Sequence, residues 1–346
     1  MPNQNLIEID GSYGSGGGQI LRTACALSAV TQKPCRVFNI RKSRLKPGLA
    51  TQHLLGIQAL AELCNGRLVG DFLGSEEIKF YPGEIYRDRI SVNIPTAGSI
   101  TLALQSLIPP ALFSPKPVTI SFNGGATDTF FSPTIDYFQY VFLKILEKMG
   151  VKVEINILKR GYYPEGRAKV EITVFPSRLK NLNLAERGRF QKILVISGAS
   201  NALKNKKVAE RQVAGVREVL GKLKLPIEEK IEYYDTRCPG SQICLAALFE
   251  NTVIGTDNLG KLGKRAEDVG KEAALELLKE QKSGACLDEH LGDQILAYMA
   301  LAKGKSSITV SEITNHCKTN IWVIEKFKVE GKFKIENNLI SWLLPV

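Results

Sequence analysis

Three stretches of this chain share one order of local patterns, and this repetition constrains the fold more than any single motif. The stretches begin at Gly16, Ala97 and Leu291. In each, a turn containing glycine leads into an apolar helix with three- and four-residue spacing, and then into a short β-branched strand. A second helix and a β-hairpin follow. Such a repeat predicts a body made of similar units that share a core.

The spacing of these stretches indicates an insertion. Equivalent loop positions fall near Pro34, Pro117 and Ser306, so the two intervals are 83 and 189 residues long and the second has 106 more. The extra residues alternate between strand-like runs and two amphipathic helical runs. We therefore predict an α+β fold with a large domain of three repeated βαβαββ-type units and a small inserted α+β domain. The predicted ranges are 1–182 and 283–346 for the large domain, with units at about 1–85, 86–182 and 283–346, and 183–282 for the insertion.

A long basic segment lies at the start of the chain. From residue 11 to residue 61 there is no Asp or Glu, but there are seven Lys or Arg residues. The segment opens with the glycine-rich loop GSYGSGGGQILR, whose backbone amides could approach a phosphate group closely. The net charge of +11 also favours nucleic acid or other phosphate-rich partners. A tight turn followed by a solvated basic face is the ordinary alternative, and this segment alone does not decide between them.

The cysteines, the apolar runs and the histidines limit which classes of protein fit this sequence. The seven cysteines are scattered, with no C-x-x-C and no zinc-ligand spacing, which is typical of reduced thiols in a cytosol. No apolar run reaches the ~18 residues that a membrane span needs, and the N-terminus lacks the signal-peptide pattern, so we expect a cytoplasmic protein with no membrane partner. The histidines are His53, His290 and His316, and a nucleophilic or acid–base histidine must be one of them.

Six segments, taken together and in order, resemble the RNA 3'-terminal phosphate cyclase family along essentially the whole chain. The matching segments are 10–22, 41–54, 97–105, 160–170, 288–294 and 311–327. The resemblance implies a three-repeat body with an inserted small domain, similar to the body of the enolpyruvyl transferases. It also implies an ATP-dependent ligase that converts an RNA 3'-terminal phosphate to a 2',3'-cyclic phosphate. The implied route passes through a covalent histidine–AMP and then an RNA–adenylate, with a divalent cation, Mg²⁺ or Mn²⁺, beside ATP.

The resemblance also implies roles for individual residues. His316, just before the last predicted helix, matches the nucleophile, and a capping or surface histidine is its ordinary alternative. The implied nucleotide contacts are Gln105, Pro133, His290, Leu291, Gly292, Asp293 and Gln294, where Asp293 and Gln294 are expected to start a helix. The implied phosphate and RNA contacts are Arg22, Arg41, Arg44, Gln52 and His53. Arginine suits this role because its planar fork binds phosphate oxygens in pairs. The alternative for His53 is a buried core histidine whose hydrogen bonds are made within the protein. The alternative for Pro133 is a proline at the start of a helix.

Position 15 departs from the family pattern. The family usually has Glu in the glycine-rich loop, where it ligates the divalent cation, but this chain has Ser15. A hydroxyl is a neutral and weaker ligand for Mg²⁺ or Mn²⁺, so the metal site implied at Ser15 is weak. Asp293 or the ATP phosphates could hold the metal instead.

Three other functions are alternatives to that of an RNA 3'-terminal phosphate cyclase. A catalytically silent relative that acts in ribosomal RNA processing would lack the nucleophilic histidine, whereas His316 is present, although Ser15 leaves some room for it. An enolpyruvyl transferase-like enzyme would need paired acid and base residues, and the acid-free first unit fits this poorly. A non-enzymatic RNA-binding module would be expected to interleave aromatic and basic residues, and the basic segment does not.

We predict that Ser15→Glu lowers the metal concentration needed for self-adenylylation. Glutamate supplies a charged hard oxygen ligand, and the neighbouring Gly14 and Gly16 leave space for it. The measurement is AMP incorporation across Mg²⁺ and Mn²⁺ titrations for both proteins. An unchanged or weakened metal dependence in Ser15→Glu would show that this loop is not the metal site.

Overall fold

The computed structural model describes residues 6–14 and 16–345. Within these ranges the chain forms four sheets of four strands each, with helices packed between and around them. This mixture of sheets and helices confirms the predicted α+β class. Among the helices of the described residues, none is both long and apolar enough to cross a membrane.

The first sheet comes from the basic N-terminal part of the chain. Its strands are β1 (Ile7–Asp10), β2 (Cys35–Phe38), β3 (Arg67–Val69) and β4 (Ile78–Tyr81), in the order β1-β2-β4-β3. Only the β1–β2 pair is parallel, and α1 (Gly18–Thr31) is the crossover between these two strands. The helix α2 (Thr51–Leu63) links β2 to β3.

Two further sheets repeat this strand order. The second has β5 (Arg89–Ser99), α3 (Ile100–Ala111), β6 (Val118–Ala126), α4 (Ile135–Tyr137), a π-helical turn (Phe138–Phe142), α5 (Leu143–Lys148), β7 (Val153–Lys159) and β8 (Lys169–Val174). The third has β9 (Asn183–Leu184), α8 (Glu289–Gln294), α9 (Leu296–Leu301), β14 (Ser306–Thr309), α10 (Asn315–Lys326), β15 (Lys332–Glu336) and β16 (Leu339–Leu343). The orders are β5-β6-β8-β7 and β9-β14-β16-β15, again with one parallel pair in each.

The fourth sheet has a different order and lies between β9 and α8 in the chain. Its elements are β10 (Phe190–Ser200), α6 (Val208–Leu220), β11 (Ile227–Tyr234), β12 (Ser241–Phe249), β13 (Val253–Leu259) and α7 (Ala266–Lys282), with two short 3-10 turns at Asn201–Lys206 and Gly221–Leu223. The strand order is β11-β10-β12-β13. Because α6 and α7 are amphipathic, they cover one face of this sheet and leave the other face for the rest of the molecule.

The strands β10 and β12 are buried on both faces, and this explains how the fourth sheet attaches. Ile193 and Val195 belong to a core shared with α6 and α7, whereas Ile196 belongs to the larger core that runs through the other three sheets. Alternating residues of a strand point to opposite faces, so a single strand contributes to both cores. A polar contact reinforces the attachment: Gln242 of β12 donates to the Asp136 carboxylate, which also holds the buried Arg160 guanidinium.

Two helix boundaries differ from the sequence expectation. The last helix, α10, already begins at Asn315, so His316 lies in its first turn and not before it. The Thr314 hydroxyl accepts a hydrogen bond from the Cys317 amide at 3.1 Å and caps this earlier start. Similarly, Asp293 and Gln294 are the last two residues of α8 and do not start a helix, because Asp288 caps the helix before Glu289.

The close crossing of α6 and α7 yields a stability prediction. A Cβ atom at Gly270 would collide with the backbone carbonyl of Gln212, while one at Gly221 would meet nothing nearby. We expect Gly270→Ala to lower the free energy of unfolding by about 1–3 kcal/mol, because the helices must move apart. Gly221→Ala is the matched control and should change the free energy of unfolding little. Urea denaturation measures the free energy of unfolding of both variants, and equal values would contradict this account of the helix crossing.

Candidate active site

The side-chain amide of Gln19, in the first turn of α1, bridges His316 and Asp293. Its Nε2 donates to Asp293 Oδ2 at 2.5 Å, and its Oε1 lies 2.5 Å from His316 Nδ1. The amide nitrogen faces Asp293 and the amide oxygen faces the imidazole, and an amide oxygen can only accept a hydrogen bond. His316 Nδ1 therefore carries the proton, and Nε2 is left with a free lone pair.

The surroundings of His316 keep its ring neutral. Although the residue is exposed on one side, burial of the rest lowers the pKa of His316, and the charges of Arg22, Arg44 and His290 lower it further. A neutral imidazole with a bare Nε2 is a nucleophile at neutral pH. The site thus fixes both the protonation state and the tautomer of this histidine.

A chain of side chains connects α1 to α3 and α8. Arg22 Nε donates to Gln105 Oε1 at 3.0 Å, Gln105 Nε2 donates to Gln294 Oε1 at 3.3 Å, and Gln294 Nε2 donates to the His290 carbonyl at 2.9 Å. The His290 ring is 63% exposed. Four residues predicted separately from the sequence are therefore joined in one network whose end is open to solvent.

Burial and opposite charge act against each other at Asp293 and Arg22. Burial raises the pKa of Asp293 to about 7, while the positive charges of His290 and Arg22 oppose the rise. Burial lowers the pKa of Arg22 to about 10, while Asp293 opposes the fall. Arg22 remains a cation at neutral pH, whereas Asp293 can hold or release a proton there.

Several residues of this site were missed by the sequence reasoning. Gln19 is the main one, although it lies inside the quoted glycine-rich motif. Asn320 of α10 is another: it accepts from Thr23 Oγ1 at 2.8 Å and donates to the Asp293 carbonyl at 2.8 Å. In sequence both are ordinary polar residues of helices, and only the contact between α1, α8 and α10 reveals their use.

His53 lies buried at the start of α2, next to the arginines. Its Nδ1 has no hydrogen-bond partner among the described residues, and its ring packs so closely on Gly18 that any side chain there would collide with it. Burial lowers the pKa of His53 to about 3, and the charges of Arg22 and Arg41 add to the effect. A buried ring nitrogen without a partner, beside two cations, is suited to contact an anionic ligand.

Arg41 and Arg44 border the same region. Arg41 adopts a left-handed backbone conformation with φ of 54°, and its Nη1 donates to the Gly48 carbonyl at 2.8 Å. Burial lowers the pKa of Arg41, and the charge of Arg44 lowers it further, as expected when two cations lie close together. Gln52, by contrast, accepts a hydrogen bond from the Ser99 amide at the start of α3, so its carbonyl oxygen is engaged within the fold.

The remaining predicted contacts lie around α8. The Pro133 carbonyl accepts from Thr101 Oγ1 at 2.8 Å, and Pro133 precedes the helix cap at Thr134 and does not itself open the helix. Leu291 is fully buried, and a Cβ at Gly292 would press on Val310. The side-chain positions of these two residues face the core, so a nucleotide contact would come from their backbone.

The described residues offer a poor site for a resident cation beside His316. The predicted metal ligand Ser15 lies outside the described residues. The Asp293 carboxylate, which is linked to His316 through Gln19, is already engaged by that amide, and burial draws it toward its protonated form. The neighbouring groups are the cations Arg22 and Arg44, which oppose a metal ion. This set of donors does not fit a resident Mg²⁺ or Mn²⁺.

Comparison with known proteins adds independent evidence about the family of this chain. The family model for RNA 3'-terminal phosphate cyclase matches residues 13–335, which include every site residue named above. This chain belongs to the RNA 3'-terminal phosphate cyclase family. The resemblance predicted from the sequence motifs is thereby confirmed.

Similar curated proteins cover nearly the whole chain. An RNA 3'-terminal phosphate cyclase of Pyrococcus abyssi is 46% identical over 323 residues, which is 93% of both chains. One of Ignicoccus hospitalis is 43% identical over 342 residues and covers 96% of both chains. One of Sulfolobus acidocaldarius is 42% identical over 332 residues, 95% of this chain and 97% of the relative. The prediction that the chain is an enzyme of this family is confirmed.

The depressed pKa of His53 predicts a pH dependence of stability. The unfolded chain binds a proton on this histidine below about pH 6.5, whereas the folded protein does not until about pH 3. The free energy of unfolding is therefore highest above the pKa that His53 has in the unfolded chain, and it falls as the pH decreases below that value. Between pH 7.5 and pH 5 the free energy of unfolding of the wild type should fall by about 2 kcal/mol more than that of His53→Gln.

Urea denaturation at the two pH values measures this difference. The matched control is His290→Gln, which removes an exposed ring and should keep the wild-type dependence on pH. Equal losses in the wild type and in His53→Gln would show that His53 is not held neutral by the fold.

Proposed function

We propose that this protein converts an RNA 3'-terminal phosphate to a 2',3'-cyclic phosphate with ATP, through a covalent histidine–AMP and an RNA–adenylate. The observation that carries the proposal is the Gln19 amide between His316 and Asp293. With the proton on Nδ1, the lone pair of the neutral imidazole is on Nε2, and His316 is an exposed residue. That is the state a histidine needs to attack a phosphate.

In the first step His316 Nε2 attacks the α-phosphorus of ATP. A nitrogen–phosphorus bond forms, the bond to the bridging oxygen breaks, and pyrophosphate leaves. The imidazole becomes positively charged, and its Nδ1 proton stays hydrogen-bonded to Gln19 Oε1. The amide oxygen therefore stabilises the charge that develops on the ring.

In the second step an oxygen of the RNA 3'-phosphate attacks the phosphorus of the bound AMP, and His316 Nε2 leaves. In the third step the vicinal 2'-hydroxyl attacks the activated 3'-phosphate, loses its proton and expels AMP. A phosphomonoester dianion is a poor electrophile, and adenylylation gives it a good leaving group. Arg22, Arg41 and Arg44 supply positive charge for these phosphates, and the unpartnered His53 Nδ1 and the Gln52 amide group are proposed contacts.

The nucleotide end of the site is proposed at α8. The exposed His290 ring and Pro133 are suited to contact the adenine, and the chain of Gln105 and Gln294 ends beside them. Asp293 holds Gln19 and is proposed to contact the nucleotide as well. Leu291 and Gly292 would contribute backbone groups.

We also propose the division of the body into three repeated units, related to that of the enolpyruvyl transferases, with residues 183–282 as an insertion. The shared strand order of three sheets, each with one parallel pair, supports three copies of one unit. The different order of the fourth sheet, and its own core with α6 and α7, support the insertion. Three units around one core place α1, α3 and α8 beside each other.

We predict that His316→Ala abolishes covalent labelling by α-labelled ATP, because His316 is the histidine that matches the family nucleophile and whose Nδ1 is hydrogen-bonded to Gln19. The wild-type label should be lost in acid and stable in base, as expected for a phosphoramidate. Glu325→Ala, an exposed change on the same helix, is the matched control and should label normally. Labelling of His316→Ala at the wild-type level, or mapping of AMP to His53 or His290, would overturn the assignment.

The same experiment separates the enzyme from a catalytically silent relative. If the wild type neither forms the label nor converts an RNA 3'-phosphate at saturating ATP and Mn²⁺, the silent relative is the better account. An intact fold by circular dichroism is the accompanying check.

A further inference from the structure

Three glutamates meet where the fourth sheet's last helix approaches α8. Glu276 and Glu280 lie one turn apart on α7, and Glu289 is the first residue of α8. One carboxylate oxygen from each lies within 4.8 Å of the others. Like charges one turn apart on a helix repel each other, so this grouping weakens the fold unless something neutralises it.

Glu280 is the residue that points to a ligand. It is only 2% exposed, and neither of its carboxylate oxygens has a hydrogen-bond partner among the described residues. The Ser311 hydroxyl lies near enough to oppose the rise in the pKa of Glu280, but it is itself buried without a hydrogen bond. A buried carboxylate without a partner is costly, and a bound cation would remove that cost.

A small cavity of about 30 Å³ lies against this carboxylate. It is lined by Gly255, Thr256, Asp257, Glu276, Glu280, Asp288, Glu289 and His290. Its volume is sufficient for a water molecule or a single metal ion. Asp288 and Asp257 are already engaged, since Asp288 accepts from the Gly255 amide and Asp257 from the Thr134 amide. The glutamates are therefore the ligands that remain.

A lysine partly balances the cluster but leaves its buried member alone. Lys279 Nζ lies 3.1 Å from Glu276 Oε1 and 3.2 Å from Glu289 Oε2. Its side chain is 59% exposed, so it can turn into solvent when another cation arrives. The His290 ring nitrogen also lies 3.7 Å from Glu289 Oε1. With Lys279 in place, the described contacts leave the Glu280 carboxylate unpaired.

We propose that Glu276, Glu280 and Glu289 bind a hard divalent cation of the Mg²⁺ or Mn²⁺ type, with water completing its coordination. Carboxylate oxygens are the ligands that such cations prefer. The cation would join α7 to the start of α8, the helix that carries His290 and Asp293. The site is separate from His316, and the proposal does not depend on the cyclase reaction.

The test measures Mn²⁺ binding to the full chain without ATP or RNA. The electron paramagnetic resonance signal of free Mn²⁺ is the readout. The wild type should bind one Mn²⁺ through this cluster. Glu280→Gln should weaken its binding by about tenfold or more, because it removes a charged ligand. The matched control is Glu272→Gln, on the same helix, where the carboxylate is exposed and pairs with Lys264.

The outcomes are decisive in either direction. Loss of affinity in Glu280→Gln with unchanged affinity in Glu272→Gln supports the site. The proposal is overturned if the wild type binds no Mn²⁺ at millimolar concentration, if Glu280→Gln binds as the wild type does, or if both variants weaken equally. Should Glu280→Gln fail to fold by circular dichroism, Glu289→Gln, at the half-buried end of the cluster, gives the same readings.

Discussion

The site depends on the contact between α1 and α10, and the Gln19 amide is the group that gives this contact its chemistry. An amide has a donor end and an acceptor end. Here the nitrogen donates to Asp293, with a longer contact of 3.4 Å to the His316 carbonyl, and the oxygen faces the His316 ring. Asp293 takes the donor at 2.5 Å, so His316 meets the acceptor. The backbone of the fold brings the three helices together, and the asymmetry of one side chain then selects the tautomer of the histidine.

Burial and positive charge act together throughout this region. Burial lowers the pKa of Arg22 and of Arg41, and the charge of Arg44 lowers that of Arg41 further. Burial also lowers the pKa of His53 and of His316, and Arg22 adds to the effect at both rings. Such an arrangement is unfavourable without a ligand, and it becomes favourable when phosphate groups supply the missing negative charge.

Much of the fold could be predicted from the sequence, because apolar periodicity sets helices and strands. The repeat spacing indicated a stretch of extra residues, and the fourth sheet lies within that stretch. The helix starts at Asn315 and Glu289 were the weak points, since capping by Thr314 and Asp288 acts over three residues and leaves no periodic signal. Arg22, Gln105 and Gln294 were found through motifs, whereas Gln19 and Asn320 were not assigned. Their roles arise from contacts between segments almost 300 residues apart, which no local pattern encodes.

The same separation has a consequence for the newly made protein. Gln19 leaves the ribosome early, and His316 follows 297 positions later. During synthesis the N-terminal arginines can already attract polyanions, but the proposed nucleophile is not yet present. Under the proposed mechanism an unfinished chain can therefore hold a polyanion by charge and cannot react with it. Chemical competence appears as a single late event, when α10 docks on α1.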